Sequence, residues 1–238
     1  MRIYLVLMHN ALRSPALPRI HFHQQLEQLK DKLLAMAALS QQAVEYAVDA
    51  YLERDERLVT FVRENEAAIN MAQRDVDEMA YELLAKEQPM AIDLRFILSV
   101  IKINADLERI GDQSMSIARR AEDMLRVPAA TLPVDIAAMG THASDMIRRA
   151  VQSLVEADAP LAESVREMDD DIDHMNRTAH VDLIRVMQQS PDASHQALNA
   201  VITARNLERI ADHATNIATD VIFWVRGADV RHQLAMAE

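Results

Sequence analysis

Apolar residues in this chain recur at alternating three- and four-residue steps through six long runs, and nothing else in the sequence restricts its fold as much. That spacing lays one apolar stripe along one face of an α-helix. The first run passes through Phe22, Leu26, Leu29, Leu33, Met36, Ser40, Ala43, Ala47 and Ala50, and the second through Leu58, Val62, Ile69, Val76, Ala80 and Leu83. The third runs from Ile92 through Phe96, Val100, Ile103, Leu107 and Ile110 to Ile117. The fourth spans Ile136 to Leu154, the fifth Leu161 to Val186 and the sixth Leu207 to Trp224. Pro89, Pro128, Pro133, Pro160 and Pro191 fall between runs, and Pro15 and Pro18 precede the first, where a residue without a backbone donor does least harm. Helices of some 30 residues would each be about 45 Å long. Only Arg54 and Asp55 separate the first two runs.

The runs form two similar sets. DLERIGDQ, from Asp106 to Gln113, returns one hundred residues later as NLERIADH, from Asn206 to His213. A weaker echo joins Val62-Arg63-Glu64 to Val165-Arg166-Glu167 and Ile69 to Ile172. Short connections make neighbouring helices antiparallel. The expected architecture is therefore all-α: two tandem three-helix bundles related by an internal repeat, joined through the non-periodic stretch Leu125 to Pro133. Residues 20–127 form the first bundle in this reading and 128–238 the second, after a poorly ordered leader at 1–19 that Pro15 and Pro18 keep out of the first helix. The leader's apolar run, Ile3 to Met8, is too short for a secretory signal, and no stretch is long and apolar enough to span a bilayer. A cytoplasmic placement is expected.

Composition excludes several chemistries. Three glycines, far apart, cannot build a phosphate-cradling loop or the turns of a strand-rich fold. The absence of cysteine removes disulfides, thiolate metal sites and a cysteine nucleophile. A net charge of −12 argues against nucleic acid as a partner, since phosphate backbones are held by Lys and Arg. None of the nine histidines sits in an H-E-x-x-H or Glu-x-x-His pattern, and no nucleophile–base constellation is present, so no enzyme is expected.

The repeated hexapeptide carries the chemistry that remains. Glu108 and Asp112 are four residues apart, as are Glu208 and Asp212, so each pair stacks two carboxylates one turn from each other beside the apolar stripe. Like charges at that spacing cost an isolated helix a few tenths of a kcal/mol unless a cation relieves them. Two readings stand: a solvated face with Arg109 and Arg209 as partners, or a face that holds a hard cation or iron. Asp77, next to core position Val76, is either an ordinary surface acid or a further ligand from the second helix. The positions matching Gln73 and Asp77 in the second half are Asn176 and His180. The acid run from Glu167 to Asp173 is either a solvated face or a site for a cation or basic partner.

At LERIGD and LERIAD the chain resembles the PhoU family of phosphate-uptake regulators. The likeness extends to Gln88-Pro89 with Asp93-Leu94-Arg95 ahead of the first hexapeptide, to Asn216-Ile217-Ala218, and to the stretch from Val225 to His232. The resemblance implies two three-helix bundles and a cytoplasmic, non-enzymatic homodimer. It would be a negative regulator of the phosphate-starvation response, linking the phosphate ABC transporter to the sensor histidine kinase of a two-component system. Through these partners it would sit at the inner face of the membrane. The resemblance also implies iron or another divalent metal (Mg, Zn, Ca or Mn) at Glu108/Asp112 and Glu208/Asp212, with Asp77 from the second helix. The alternative is a metal-binding or metal-buffering bundle with an indirect role in phosphate homeostasis. The chain departs from the family pattern at Gln73, at Asn176 and His180, and at Thr219, where the family has Glu; the second cluster is expected to be the poorer in ligands.

Overall fold

The structure is a computed structural model that describes residues 16–227, with side chains from residue 20. The apolar run Ile3 to Met8 and the chain beyond Gly227 lie outside the described residues. The described residues form six α-helices, α1 (Ala16–Glu53), α2 (Glu56–Glu87), α3 (Ala91–Met124), α4 (Ile136–Glu156), α5 (Ala159–Gln189) and α6 (Ser194–Arg226), with one 3-10 turn at Pro191–Ala193 and no strand. Two tandem three-helix bundles result: α1, α2 and α3 pack on one another, as do α4, α5 and α6.

Local chemistry sets the breaks. Arg54 takes a left-handed φ of 56°, and the Asp55 side chain then caps α2 by accepting from Arg57 N at 2.8 Å. Gln88 ends α2 in the left-handed region just before Pro89. Asp135 and Asp158 cap α4 and α5, accepting from Ala138 N at 2.8 Å and Leu161 N at 2.9 Å. Gly227, at φ 71°, closes α6.

Three expectations change. Pro18 lies inside the first turn of α1 rather than before it, because a helix's opening N–H groups have no acceptor within the helix and proline forfeits nothing there. The fourth helix has 21 residues and is about 32 Å long, shorter than the others. The sixth begins at Ser194, thirteen residues before its apolar run, since Ala197, Ala200, Thr203 and Ala204 continue the buried stripe with small side chains.

Every member of the first apolar run, from Phe22 to Ala50, is buried, whereas Ile92 at the start of the third is exposed. The buried apolar side chains of all six helices form one continuous cluster. The bundles meet along two helix pairs, α3 with α6 and α1 with α4. A Cβ at Gly140 of α4 would lie 2.8 Å from both γ-carbons of Val48, so the α1–α4 approach depends on a residue without one.

Candidate functional site

The repeated hexapeptides sit at the middle of the antiparallel α3–α6 seam. His213 Nδ1 and Asp106 Oδ1 hydrogen-bond at 2.8 Å, and Asn216 Nδ2 donates to the same carboxylate at 3.4 Å. At the repeat-related position, Asn206 Nδ2 donates to Ser116 Oγ at 3.1 Å. The contacts Asp106–Asn216 and Asn206–Ser116 are thus exchanged by a shift of one hundred residues, the mark of a pseudo-twofold axis through the seam. Further along, Ser99 Oγ donates to Asp220 O at 2.9 Å and Lys102 Nζ to Asp220 Oδ1 at 3.0 Å.

Leu107, Ile110, Leu207 and Ile210 are fully buried, which turns the acids of each hexapeptide toward the groove with the neighbouring helix. In the second bundle Glu208 and Asp212 lie within electrostatic reach of Asp169 and Asp173 of α5, themselves four residues apart. Glu208 is buried; its Oε1 accepts from Arg205 Nη1 at 2.8 Å, while its Oε2 has no hydrogen-bond partner. Desolvation first, and then the Asp212 charge, push the Glu208 carboxyl above its ordinary value. Asp169 is raised by the same two causes in the same order, although Thr215 Oγ1 donates to it at 3.2 Å. Asp212, although exposed in part, is raised by desolvation and then by the charge of Asp173.

The first bundle is finished differently. Glu108 is raised by desolvation, then by Asp112, and more weakly by Glu66 across the groove on α2. Asn70 Nδ2 donates to Glu66 Oε1 at 2.8 Å, and Arg109 reaches both Glu108, at 3.4 Å, and Asp112, at 3.1 Å. Asp77, which the family resemblance adds to these acids, lies against the neighbouring turn of α3. Its carboxylate accepts from Asn104 Nδ2 at 2.9 Å, one turn before Glu108, and the same amide nitrogen donates to Gln73 O at 3.0 Å.

Asn176 and His180, taken from the sequence as the counterparts of Gln73 and Asp77, line a separate groove on α5 and α6. The α5 carboxylates come instead from the run Glu167 to Asp173, so the second bundle is the richer in carboxylates. The signal was present. Asp169 and Asp173 are four apart, and the shift of 103 residues that relates Ile69 to Ile172 also relates Glu66 and Asn70 to them. Thr219 donates through Oγ1 to Thr215 O at 2.9 Å and is buried.

Both faces present oxygen donors of the kind hard divalent cations and iron accept. The unpartnered Glu208 oxygen, desolvated among three other carboxylates, fits such an ion chemically. Among the described residues no three His, Asp or Glu side chains already surround one metal position.

The family model described as "PhoU domain" matches residues 33–121 and 136–221, one match in each bundle. The phosphate-specific transport system accessory protein PhoU homolog of Pseudomonas aeruginosa PAO1 is 40% identical over 212 residues, covering 89% of this chain and 88% of that protein. The phosphate-specific transport system accessory protein PhoU of Escherichia coli K12 is 28% identical, covering 89% and 88%. The crystal structure of PhoU from Pseudomonas aeruginosa superposes with a TM-score of 0.84 at 38% identity, over 87% of this chain and all of that one. A PhoU structure from Streptococcus pneumoniae, at 24% identity, shares the fold with a TM-score of 0.80. The repeated hexapeptides on a pseudo-symmetric helical seam, in two bundles each matched by the same model, make this chain a member of the PhoU family.

Proposed function

We propose that this protein is a non-enzymatic accessory regulator of phosphate transport that acts by binding. It would hold down the phosphate-starvation response when phosphate is plentiful, linking a phosphate ABC transporter to a sensor histidine kinase. The observation that carries this reading is the match, along nearly the whole length of both chains, to relatives named for the phosphate-specific transport system. Long helices with exposed apolar residues such as Tyr81, Leu98, Ile184 and Leu198 suit a scaffold that meets helical partners. No helix among the described residues is long and apolar enough to cross a membrane, so a place at the membrane's inner face would come through those partners, and we include a homodimer in the proposal. Deletion of the gene, followed by an alkaline phosphatase assay in high phosphate, tests it. Activity rising in the deletion supports the reading; activity staying low refutes it.

A second reading, metal binding with an indirect phosphate role, draws on the orphaned Glu208 oxygen. Glu208, Asp212, Asp169 and Asp173 would hold a divalent cation or iron in the second bundle, and Glu108, Asp112 and Glu66 in the first. Such an ion would relieve the mutual repulsion of the carboxylates and clamp adjacent helices. Elemental analysis of protein purified without chelator, beside the Glu208→Ala/Asp212→Ala double variant, decides it. Metal lost in the variant supports this reading, and metal absent or equal in both removes it.

A further inference from the structure

We infer that the groove between α5 and α6, one turn beyond the second acidic face, is a binding site for a phosphoryl group. Its ionisable lining is entirely basic: Arg177 and His180 from α5 and Arg205 from α6, joined by Asn176. In a chain of net charge −12 this groove has no carboxylate in its lining. The cavity measures about 580 Å³, and Val181 and Val201 complete its wall. It therefore has room for more than a bare phosphate, with apolar surface for the organic part of an ester.

The two arginines are already positioned. Arg177 Nη1 donates to Asp173 at 3.1 Å and Arg205 Nη1 to Glu208 at 2.8 Å. Each guanidinium has five N–H donors in a planar fork, so an anchoring bond through one nitrogen leaves most of the fork for a ligand. Both side chains stay accessible, 66% exposed for Arg177 and 62% for Arg205. Both anchoring bonds use Nη1, which leaves Nε and Nη2, a pair of donors with which arginine recognises phosphate oxygens on two prongs.

The internal repeat supplies a control within the molecule. The first-bundle counterparts of Arg177, His180 and Arg205 are Arg74, Asp77 and Ala105. There Arg74 donates through Nε to Asn70 O, the second arginine is missing, and Asp77 accepts from Asn104. The basic groove belongs to the second bundle alone.

The test is calorimetric titration of the full chain with inorganic phosphate, with ATP and with sulfate, at low salt. EDTA is present throughout, so the groove is examined apart from any cation on the acidic face. Inorganic phosphate or ATP should bind, and the tighter of the two identifies free phosphate or a phosphate ester as the source. Arg205→Gln and Arg177→Gln should each weaken that binding about tenfold, as loss of a charge-assisted pair predicts. Arg74→Gln should leave it unchanged, and Arg205→Lys should restore only part of it. Circular dichroism and urea titration keep folding defects apart from binding defects. No binding of either ligand, sulfate binding as tightly as phosphate, or equal losses in Arg205→Gln and Arg74→Gln would each overturn the assignment.

Discussion

The two bundles place the same pair of acids on α3 and α6 and then answer them differently from the neighbouring helix. In the first bundle α2 answers with Glu66 and Asn70, and the amide of Asn70 donates to Glu66, so one charge is partnered by a neutral donor. In the second bundle α5 answers with Asp169 and Asp173, and desolvation together with mutual repulsion raises the pKa values of Glu208, Asp169 and Asp212. A single Asn-for-Asp difference at repeat-related positions thus separates a face with one raised carboxyl, Glu108, from a face with three. Unrelieved charge costs stability. A face that retains it is the better candidate for a ligand of opposite sign.

The largest expected effect tests the shared scaffold beneath this difference. Leu107 and Leu207 are repeat-related and fully buried, so Leu107→Ala and Leu207→Ala should each cost about 2–5 kcal/mol in urea titrations. Because the α3–α6 seam joins the cores, both variants should shift one transition by similar amounts. A two-step curve in either would mean that the bundles unfold separately. Next in size is Asn70→Asp, which removes the donor to Glu66 and sets a carboxylate beside Glu66 and Glu108. It should destabilise by about 1–2 kcal/mol at neutral pH. No loss would show that the two faces are electrostatically equivalent after all.

Most of the scaffold was legible in the sequence because buried stripes and proline positions are local signals. The stripe from Phe22 to Ala50 is buried at every member, and Arg54-Asp55 is the break between α1 and α2. What the stripe could not reveal is the register between antiparallel helices. That register sets Asn104, not Glu108, against Asp77, and brings Glu66 to Glu108 about three turns earlier on α2. The same ambiguity made the acid run around Asp171 look uniform, although Asp170 and Asp171 are exposed while Asp169 and Asp173 act on Glu208. The start of α6 was hidden for another reason: alanine and threonine fill a close helix contact without marking an apolar period.

Glu208→Gln probes the second face through pH. A carboxyl raised on folding keeps its proton in the folded state where the unfolded chain, near pH 4, has already released it. Its stabilising contribution is complete below that unfolded value and is lost as pH rises through the raised folded value. Glu208→Gln should therefore be more stable than the wild type at pH 7, by on the order of 1 kcal/mol, and the gain should vanish near pH 4. Melting temperatures of both proteins across that range decide the matter. A gain independent of pH would assign the effect to packing around the orphaned Oε2 rather than to its charge.

The smallest effect is the closest test of the comparison. Asp173→Asn gives the second bundle the residue that the first has at position 70. It sacrifices the pair with Arg177, in which both side chains are at least one-third exposed, and such pairs contribute at most about 1 kcal/mol and often nothing. In return it removes the strongest charge repelling Asp212 and lesser ones on Asp169 and Glu208. The two terms oppose, and repulsion from three neighbours outweighs one solvated attraction. A net gain of about 0.3–0.5 kcal/mol at pH 7 is expected, largest at low salt because exposed charges are screened within a Debye length. A loss above about 1 kcal/mol would mean that Asp173 is held in place by its arginine as part of the fold, and that the second face is no more strained than the first.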